Sequence, residues 1–310
     1  MFCYYVTVKK YRCMNLIYII SMQYRIRIFA DFCDSAHCKH AIESIALFCK
    51  NIQLYGANKA VFITDGDDYS HVIIWNTGMP NIRKGVPTEN VIGFAYEPLV
   101  YLGLTNKFVE YAKQYIHKYY IGDANGLPLP FVEGNCFLTY NSPLPALRPK
   151  TRRMSLMISQ KIHQPGHRYR HELANAILQT DLPIDIYGRG CGFDTYKHGD
   201  SRIKGAFEKY EPYDGYEFHI CIENVQSNHY FSEKIINSLL TNTTPVYLGC
   251  KNIDMYFPDK VVHLTGGVDD DMKLLIDICA NPSKYKKMID VNEIEQKVSL
   301  LHNLDRVYGL

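Results

Sequence analysis

The chain has 310 residues, with 34 Lys and Arg against 32 Asp and Glu, so its formal net charge is +2. Hydrophobic residues make up 47% and charged residues 21%, which excludes an intrinsically disordered chain. The near balance of charge also excludes a chromatin-type polycation. The 25 tyrosines stand beside a single tryptophan. Tyr-rich surfaces suit ligands such as sugars and nucleotides, which offer both a flat apolar face and hydrogen-bonding groups.

The N-terminal segment carries a short apolar run, Met14–Met22, that superficially resembles a signal sequence. Asn15 interrupts this run, which is too short to span a bilayer, and no small-residue cleavage site follows it. We therefore expect no integral membrane segment and a cytoplasmic location, with a peripheral membrane association left open. Residues 1–22 are assigned to an extension that need not belong to the fold; a true start at Met14 or Met22 is the alternative.

Strand-like and helix-like patterns alternate along the chain from about residue 23 onward. The first series predicts strands at Tyr24–Phe29, Ala60–Thr64, His71–Trp75, Val91–Tyr96 and Tyr119–Ile121, and helices at Cys38–Cys49 and Thr105–Ile116. The second predicts strands at Met154–Ser159, Ile184–Tyr187, Glu217–Glu223, Pro245–Leu248 and Val261–Leu264, and helices at Arg168–Leu178, Ser232–Leu240, Asp269–Ala280 and Ser283–Leu304. The proline-rich stretch from Gly126 to Arg153 is predicted to connect the two series. Such alternation predicts parallel sheets, and hence an α/β protein with two Rossmann-like domains facing a cleft, residues 23–147 and 148–310.

Candidate metal ligands occur in three places, and each has an ordinary structural explanation. The first is a set of four side chains whose spacing fits no common zinc pattern: Cys33, His37, Cys38 and His40. The second, Asp65-Gly66-Asp67-Asp68, follows a predicted strand and could hold a divalent cation, but Asp and Gly also favour a polar turn. The third, Asp269-Asp270-Asp271, opens a predicted helix, where carboxylates suit the positive end of the dipole. We therefore predict no metal site, and the scattered cysteines indicate a reduced intracellular protein.

The most informative segment runs from Tyr216 to Gly249 and reads YEFHICIENVQSNHYFSEKIINSLLTNTTPVYLG. Ser232 is a natural N-cap, but Lys234 puts a cation at the positive end of the helix dipole, which is unfavourable unless an anion binds there. A solvated lysine is the alternative. Asn224 ends a predicted parallel strand, where ligands bind in open α/β domains. We expect Asn224, Tyr230, Glu233 and Lys234 to converge on one crevice, although loop packing would also explain Asn224 and Tyr230.

A second basic feature lies between Gly134 and His171, a stretch without a single acid. It carries seven cations: Arg148, Lys150, Arg152, Arg153, Lys161, Arg168 and Arg170. The first four are predicted to be a solvated linker. Arg168 and Arg170 are predicted to lie in the first turn of a helix, where the positive end of the helix dipole also disfavours cations. Two helices of one domain that both begin with basic residues fit a pyrophosphate bound between them.

In the segment from Tyr216 to Gly249, the sequence resembles glycosyltransferase family 10, the α1,3/4-fucosyltransferases. The resemblance rests on Glu223-Asn224, Tyr230, Ser232-Glu233-Lys234 and Pro245-Val246-Tyr247-Leu248-Gly249, in the family's order. Ile184-Asp185-Ile186-Tyr187-Gly188 and the strand that ends at Ser159 resemble the family upstream, over about residues 154–265. The chain departs from the family pattern at six positions: Ile222 for Phe, Val225 for Ser, His229 for Asp, Phe231-Ser232 for the commoner Val/Ile-Thr, and Gln160 for Asn.

The resemblance implies a GT-B fold and inverting transfer of fucose from GDP-fucose to a glycan or glycoconjugate acceptor, with no cofactor and no bound metal. It implies that Lys234 and Arg168 neutralise the departing pyrophosphate, with Arg170 as the alternate ligand. Glu233 would accept hydrogen bonds from donor hydroxyls. The remaining donor-binding positions are the polar residues Asn224, Tyr230 and Ser159.

Inverting transfer also needs a general base that takes the proton of the acceptor hydroxyl. The segment from Val91 to Pro98 resembles the family's strand-end segment that carries this carboxylate, and this implies that Glu97 is the base. An ordinary surface carboxylate is the alternative reading of Glu97. Asp65, Asp67 and Asp68 are the fallback candidates.

Two other functions remain open at this stage. One is a related inverting transferase that uses another nucleotide-sugar. The other is a non-catalytic glycan- or nucleotide-binding protein on the same fold, which the joint presence of Glu97 and the Glu233-Lys234 pair disfavours. A nucleic-acid partner is not expected, since aromatic residues are not interleaved with the basic stretch, apart from Tyr169.

Overall fold

The computed structural model describes residues 24–46, 60–144, 146–196 and 199–309. The predicted N-terminal extension and the end of the first predicted helix, after residue 46, lie outside these ranges. Among the helices of the described ranges, none combines the length and the apolar character that a bilayer span requires.

The first series forms a six-stranded sheet. Its strands are β1 (Tyr24–Ala30), β2 (Ala60–Phe62), β3 (His71–Trp75), β4 (Val91–Phe94), β5 (Lys118–Ile121) and β6 (Phe131–Glu133). Its helices are α1 (Ser35–Ala46), α2 (Leu99–Leu102) and α3 (Asn106–Tyr115). All neighbouring strands pair in parallel, in the order β2-β1-β3-β4-β5-β6. As predicted, Thr105 caps α3 and its side chain accepts a hydrogen bond from the backbone N–H of Phe108.

The second series forms another six-stranded parallel sheet, in the order β12-β11-β10-β7-β8-β9. Its strands are β7 (Arg152–Met157), β8 (Ile184–Tyr187), β9 (Ile203–Gly205), β10 (Tyr216–Ile222), β11 (Thr244–Leu248) and β12 (Val262–His263). Its helices are α4 (Pro165–Leu178), α5 (Glu233–Leu240) and α6 (Val268–Ala280), followed by α7 (Pro282–Tyr285), α8 (Val291–Val298) and α9 (Leu304–Tyr308). The predicted α/β class, with two parallel sheets, is confirmed.

Four details of the prediction were wrong. The proline-rich stretch is not wholly a connection, since β6 lies within it and pairs with β5. The edge strand β9 was missed, because three residues are too few to show a period. The C-terminal helical region is broken into α7, α8 and α9. Finally, α4 begins at Pro165 rather than at Arg168. Proline suits the first turn of a helix because it has no N–H to leave unpaired there.

Within the described ranges, the buried apolar side chains form three clusters. One lies around the first sheet, and the other two lie on the second sheet, around α4 and α6 and around α5 and α8. Leu304, Val307 and Tyr308 of α9 belong to the first cluster, so the end of the chain packs against the N-terminal sheet. The predicted division between residues 147 and 148 separates the two sheets. As a domain boundary it stays a prediction.

Candidate active site

The loops that follow β7 and β10 meet at one place in the second sheet. These strands are neighbours, and the chain leaves them in opposite directions, towards β8 on one side and β11 on the other. Such a switch point is where open α/β sheets bind ligands. A cavity of ≈ 370 Å³ lies there, called the switch cavity below, and its lining includes Ser159, Lys161, Arg170, Asn224, Glu233 and Lys234.

Lys234 is held in place by carboxylates on two sides. Its Nζ lies 3.2 Å from Oε2 of Glu223 and 3.3 Å from Oε1 of Glu233, and it donates a 2.8 Å hydrogen bond to Oγ of Ser232. The Lys234 side chain is 17% exposed. Burial lowers the pKa of Lys234, but the two carboxylates outweigh burial and hold it above its usual value. The solvated-lysine alternative is therefore wrong, and the ammonium is a fixed positive charge at the cavity wall.

Glu223 is the residue that sequence reasoning missed. Its side chain is fully buried, and it accepts hydrogen bonds from the N–H and Oγ of Ser232. A charged group is almost never buried without a partner. The sequence did carry a signal for this role. Glu223 directly follows the mostly apolar run Phe218–Ile222, and an acid buried at the end of such a strand needs a cation nearby. Glu223 thus supplies the charge that keeps Lys234 in its buried position.

Arg170 is the second buried cation of the switch cavity. The residue is 6% exposed, and its Nη2 donates a 2.5 Å hydrogen bond to Oδ1 of Asn224. Within the described part of the chain, its Nε atom is buried and has no hydrogen-bond partner. Burial lowers the pKa of Arg170, and the carboxylates of Glu223 and Glu233 oppose that effect. A buried guanidinium with an unused donor is suited to an anionic ligand.

Arg168 lies away from this cavity. Its Nη1 donates hydrogen bonds to the carbonyls of Ile162 and His163, at 3.3 and 2.9 Å, and the residue is exposed. The cause is helix geometry, since residues two apart lie about 200° apart around a helix, so Arg168 faces outward where Arg170 faces inward. The structure therefore brings Arg170, and not Arg168, to the switch cavity.

The start of α4 packs directly against the end of β10. The backbone N–H of Gly166 donates a 2.9 Å hydrogen bond to the carbonyl of Asn224. A Cβ at Gly166 would lie 1.9 Å from the carbonyl oxygen of Glu223, so no larger residue fits there. This close approach brings the α4 cation Arg170 within reach of Asn224.

His167 lines the switch cavity, and its pKa is lowered there. Burial lowers the pKa of His167 to about 4, and the positive charges of Arg170, Lys161 and Lys234 add to that effect. Its imidazole is therefore neutral at neutral pH. Three cations acting on one neutral ring indicate a site that favours a negatively charged ligand.

Two further predicted donor-site residues line the same cavity. Ser159 follows β7, and its Oγ accepts a 3.1 Å hydrogen bond from the N–H of Lys161. Glu233 is exposed beside Lys234, so its carboxylate is free to meet hydroxyl groups of a ligand. Of the predicted donor-site residues, the structure brings together Ser159, Arg170, Asn224, Glu233 and Lys234.

Tyr230 is placed differently from these residues. It is 5% exposed and belongs to the core cluster of the first sheet. Its Cβ would lie 3.2 Å from a Cβ added to Gly122, which follows β5. Burial raises the pKa of the Tyr230 phenol above its usual value, and Glu223, Glu97 and Glu233 raise it further. Tyr230 therefore lies behind the cavity wall, at the contact between the two sheets.

Glu97 lies on the opposite rim, three residues beyond β4. The pKa of the Glu97 carboxyl is raised, chiefly because the group is partly buried. The positive charges of Lys234 and Lys161 lower this pKa, and the negative charge of Glu233 raises it. Both lysines and Glu233 line the switch cavity, so the charges that act on Glu97 come from that cavity. The carboxylate is exposed, as a group that must meet a substrate has to be.

A second cavity, of ≈ 470 Å³, lies beside the first and is lined from both sheets. Pro98, Leu99 and Val100 line it from the N-terminal side, and Glu223 and Leu248 from the other side. Asp123 holds the two sides together, since its carboxylate accepts hydrogen bonds from Oγ of Ser227 at 2.6 Å and from the N–H of Asn228 at 3.1 Å. The cleft is thus walled by both sheets.

The two aspartate motifs lie in a turn and at the start of a helix. Asp65, Asp67 and Asp68 form an exposed turn, in which Gly66 has φ +66° and Asp68 pairs with Arg25. Asp271 is buried at the start of α6, where its carboxylate accepts hydrogen bonds from the N–H groups of Thr265 and Gly266.

The candidate cysteine and histidine ligands do not form a cluster. Cys33 and Cys38 have their sulfur atoms 3.4 Å apart, while His37 pairs with Asp34. Over the described ranges, no three His, Cys, Asp or Glu side chains are grouped as a metal site requires.

Two units, each with a six-stranded parallel sheet, that face each other across such a cleft define the GT-B class of glycosyltransferases. Solved structures share this fold. An α1,3-fucosyltransferase crystallised with GDP aligns with a TM-score of 0.51 and 12% identity, over 97% of this chain and 95% of that one. A glycosyltransferase from Rickettsia africae aligns with a TM-score of 0.52 and 10% identity, over 93% and 98% of the two chains. At these identities the likeness concerns the fold alone.

Sequence comparison matches part of the chain to a known family. Residues 147–270 match the model of glycosyltransferase family 10 (fucosyltransferase), C-terminal region. A fucosyltransferase-like protein of Arabidopsis thaliana is 28% identical over 148 residues. That alignment spans 46% of this chain and 27% of the length of the Arabidopsis protein. Residues 147–270 of the chain are therefore similar to the C-terminal region of this family.

Proposed function

We propose that the protein is an inverting, metal-independent fucosyltransferase that transfers fucose from GDP-fucose to a hydroxyl group of a glycan acceptor. The observation that carries the proposal is the pair of buried cations, Lys234 and Arg170, on one wall of the switch cavity. The buried Nε of Arg170 has no partner in the described protein. A diphosphate supplies the oxygens that this donor lacks.

In the proposed reaction, the diphosphate of the donor lies against Lys234 and Arg170. Asn224 holds the guanidinium of Arg170 through the 2.5 Å hydrogen bond. As the bond between fucose and phosphate breaks, negative charge develops on the leaving GDP, and the two cations stabilise it. They supply the positive charge that a divalent ion supplies in other glycosyltransferases. Glu233 accepts hydrogen bonds from donor hydroxyls, and Ser159 contributes a further polar group.

The acceptor enters from the side of Glu97. Its hydroxyl attacks the anomeric carbon on the face opposite the leaving GDP, and its proton passes to the Glu97 carboxylate. One C–O bond forms as the other breaks, so the configuration at the anomeric carbon is inverted. The exposure of Glu97 and the action of the Lys234 and Glu233 charges on its carboxyl support this role.

Thermal stabilisation by nucleotide-sugars tests the donor. We expect GDP-fucose to raise the melting temperature more than GDP-mannose or UDP-sugars do, with and without EDTA. Selective stabilisation by a UDP-sugar would instead support a related transferase with another donor. Loss of binding in EDTA would overturn the metal-independent mechanism, and binding of GDP-fucose without transfer to any acceptor would support a non-catalytic protein. The cytoplasmic location expected from the sequence stays a prediction.

A further inference from the structure

Three aromatic side chains pack against one another at the carboxyl edge of the first sheet, outside the site described so far. The ring of Phe32 is parallel to that of Trp75, with an interplanar angle of 2° and centroids 6.4 Å apart. The Tyr96 ring lies 5.8 Å from Phe32 and 4.6 Å from Trp75. Trp75 is 1% exposed, whereas Phe32 is 53% exposed. These three residues, called the aromatic platform, present one rigid apolar ring to solvent.

The aromatic platform lies at the switch point of the first sheet. Phe32 follows β1, and Trp75 is the last residue of β3. These strands are neighbours, and the chain continues from β1 to β2 on one side and from β3 to β4 on the other. Ligands of open α/β sheets bind at such points, in the crevice beyond the carboxyl ends of the strands.

Carboxylates flank the aromatic platform along the chain. Asp31 precedes Phe32, is exposed, and accepts a 2.6 Å hydrogen bond from Oγ1 of Thr77. Glu97, the proposed base, directly follows Tyr96. Two carboxylates disfavour an anionic ligand such as a nucleotide, but they accept hydrogen bonds from hydroxyl groups. An exposed ring with flanking carboxylates is complementary to a neutral sugar, which has an apolar C–H face and a rim of hydroxyls.

We propose that the aromatic platform is the acceptor subsite, and that it takes a neutral pyranoside of the acceptor glycan. The apolar face of the sugar packs on Phe32, one hydroxyl donates to Asp31, and another is directed towards Glu97. This inference rests on the proposed function, since it names the class of acceptor for the same reaction. It also accounts for an exposed phenylalanine that the core does not use.

The sequence provides a reporter for this subsite, because Trp75 is its single tryptophan. We would titrate the wild-type protein with lactose, N-acetyllactosamine, cellobiose and chitobiose, and follow the tryptophan emission. A saturable change with at least one disaccharide is expected, and GDP alone should cause a much smaller change. The change should be lost in Phe32→Ala and retained in Phe32→Tyr, which keeps the ring.

Kinetics provide a second readout. Phe32→Ala should raise the KM for the acceptor about tenfold, the loss expected when the apolar contact with one ring is removed. Hydrolysis of GDP-fucose without acceptor should be unchanged. Tyr115→Ala is the matched control, since Tyr115 is 41% exposed and its ring contacts that of Tyr111 at the end of α3, a helix that leads to the amino end of β5 and not to the carboxyl edge of the sheet. Asp31→Asn serves as the second variant if Phe32→Ala fails to fold.

The outcomes separate the subsite from the donor assignment. Disaccharides that change the Trp75 emission of the wild type but not of Phe32→Ala support the subsite, even if GDP-fucose proves not to be the donor. GDP-fucose hydrolysis with no response of Trp75 to any disaccharide overturns the subsite and leaves the donor assignment standing. An unchanged acceptor KM in both Phe32→Ala and Asp31→Asn also overturns it.

Discussion

Lys234 should serve both donor binding and stability, and Lys234→Met separates the two roles. Methionine keeps most of the apolar stem and removes the ammonium. In the folded protein, the substitution leaves Glu223 buried with Ser232 as its remaining hydrogen-bonding partner among the contacts described. It also removes one of the two buried cations from the wall of the switch cavity.

The expected magnitudes follow from burial. Glu223 is fully buried and Lys234 is 17% exposed, and breaking a buried ion pair by removal of one partner costs roughly 3–5 kcal/mol of stability. A hydrogen bond to a charged group contributes about 1.5–3 kcal/mol, which corresponds to roughly 10- to 150-fold in the affinity for GDP. Lys234→Met should therefore be both less stable and much weaker in GDP binding.

The double variant Glu223→Gln/Lys234→Met decides between the two effects. It removes both buried charges, and replacement of a buried pair by neutral groups is often close to neutral for stability. We expect its stability to the denaturant urea to return towards that of the wild type, while GDP binding by calorimetry stays weak.

Two results would refute this reasoning. If Lys234→Met binds GDP as tightly as the wild type, the ammonium does not contact the diphosphate. If the double variant is as unstable as Lys234→Met, the unpaired charge of Glu223 is not the cause of the instability. Glu223→Gln alone is the control, since it keeps the ammonium and removes its buried partner.

Three further predictions follow from the site. Arg170→Lys should weaken GDP binding at least about tenfold, because lysine cannot reproduce the planar guanidinium held by Asn224. Arg168→Lys is the control and should bind GDP like the wild type. Equal losses of affinity in the two variants, measured by titration calorimetry, would contradict this assignment. Glu97→Gln should retain GDP-fucose binding and lose transfer. Since the pKa of Glu97 is raised, transfer by the wild type should fall as the pH drops through a value above 4.5. The folded protein then binds that proton more tightly than the unfolded chain, so Glu97→Gln should not be destabilised at neutral pH, and transfer at the wild-type rate would place the base elsewhere. Desolvation raises the pKa of Asp123, but the hydrogen bonds from Ser227 and Asn228 outweigh desolvation and lower this pKa below 3.8. The contribution of Asp123 to the stability of the fold is therefore complete above pH 3.8, and it is lost as the pH falls through the lowered pKa. Asp123→Asn should reduce stability at pH 7 and remove this part of the acid dependence, as measured by urea unfolding at several pH values.

Much of the architecture follows from local patterns. β3 and β8 match their predicted bounds, and Thr105 and Ser232 cap the predicted helices α3 and α5. Apolar β-branched runs and N-cap side chains act over a few residues, so they are visible without the fold. Edge strands such as β6 and β9 were not predicted, because three residues are too few to show the alternation of a strand.

Sequence by itself determined the class of fold, the region with the family signature and the side chains from which the candidate site is built. Tertiary structure decided which of these side chains meet. The contact of Gly166 with the end of β10 holds α4 against that strand, so Arg170 reaches Asn224, while Arg168, about 200° away around the helix, faces outward. The buried partner of Lys234 is Glu223, eleven residues earlier in the chain. Burial and charge pairing depend on packing between distant segments, which a local pattern does not contain.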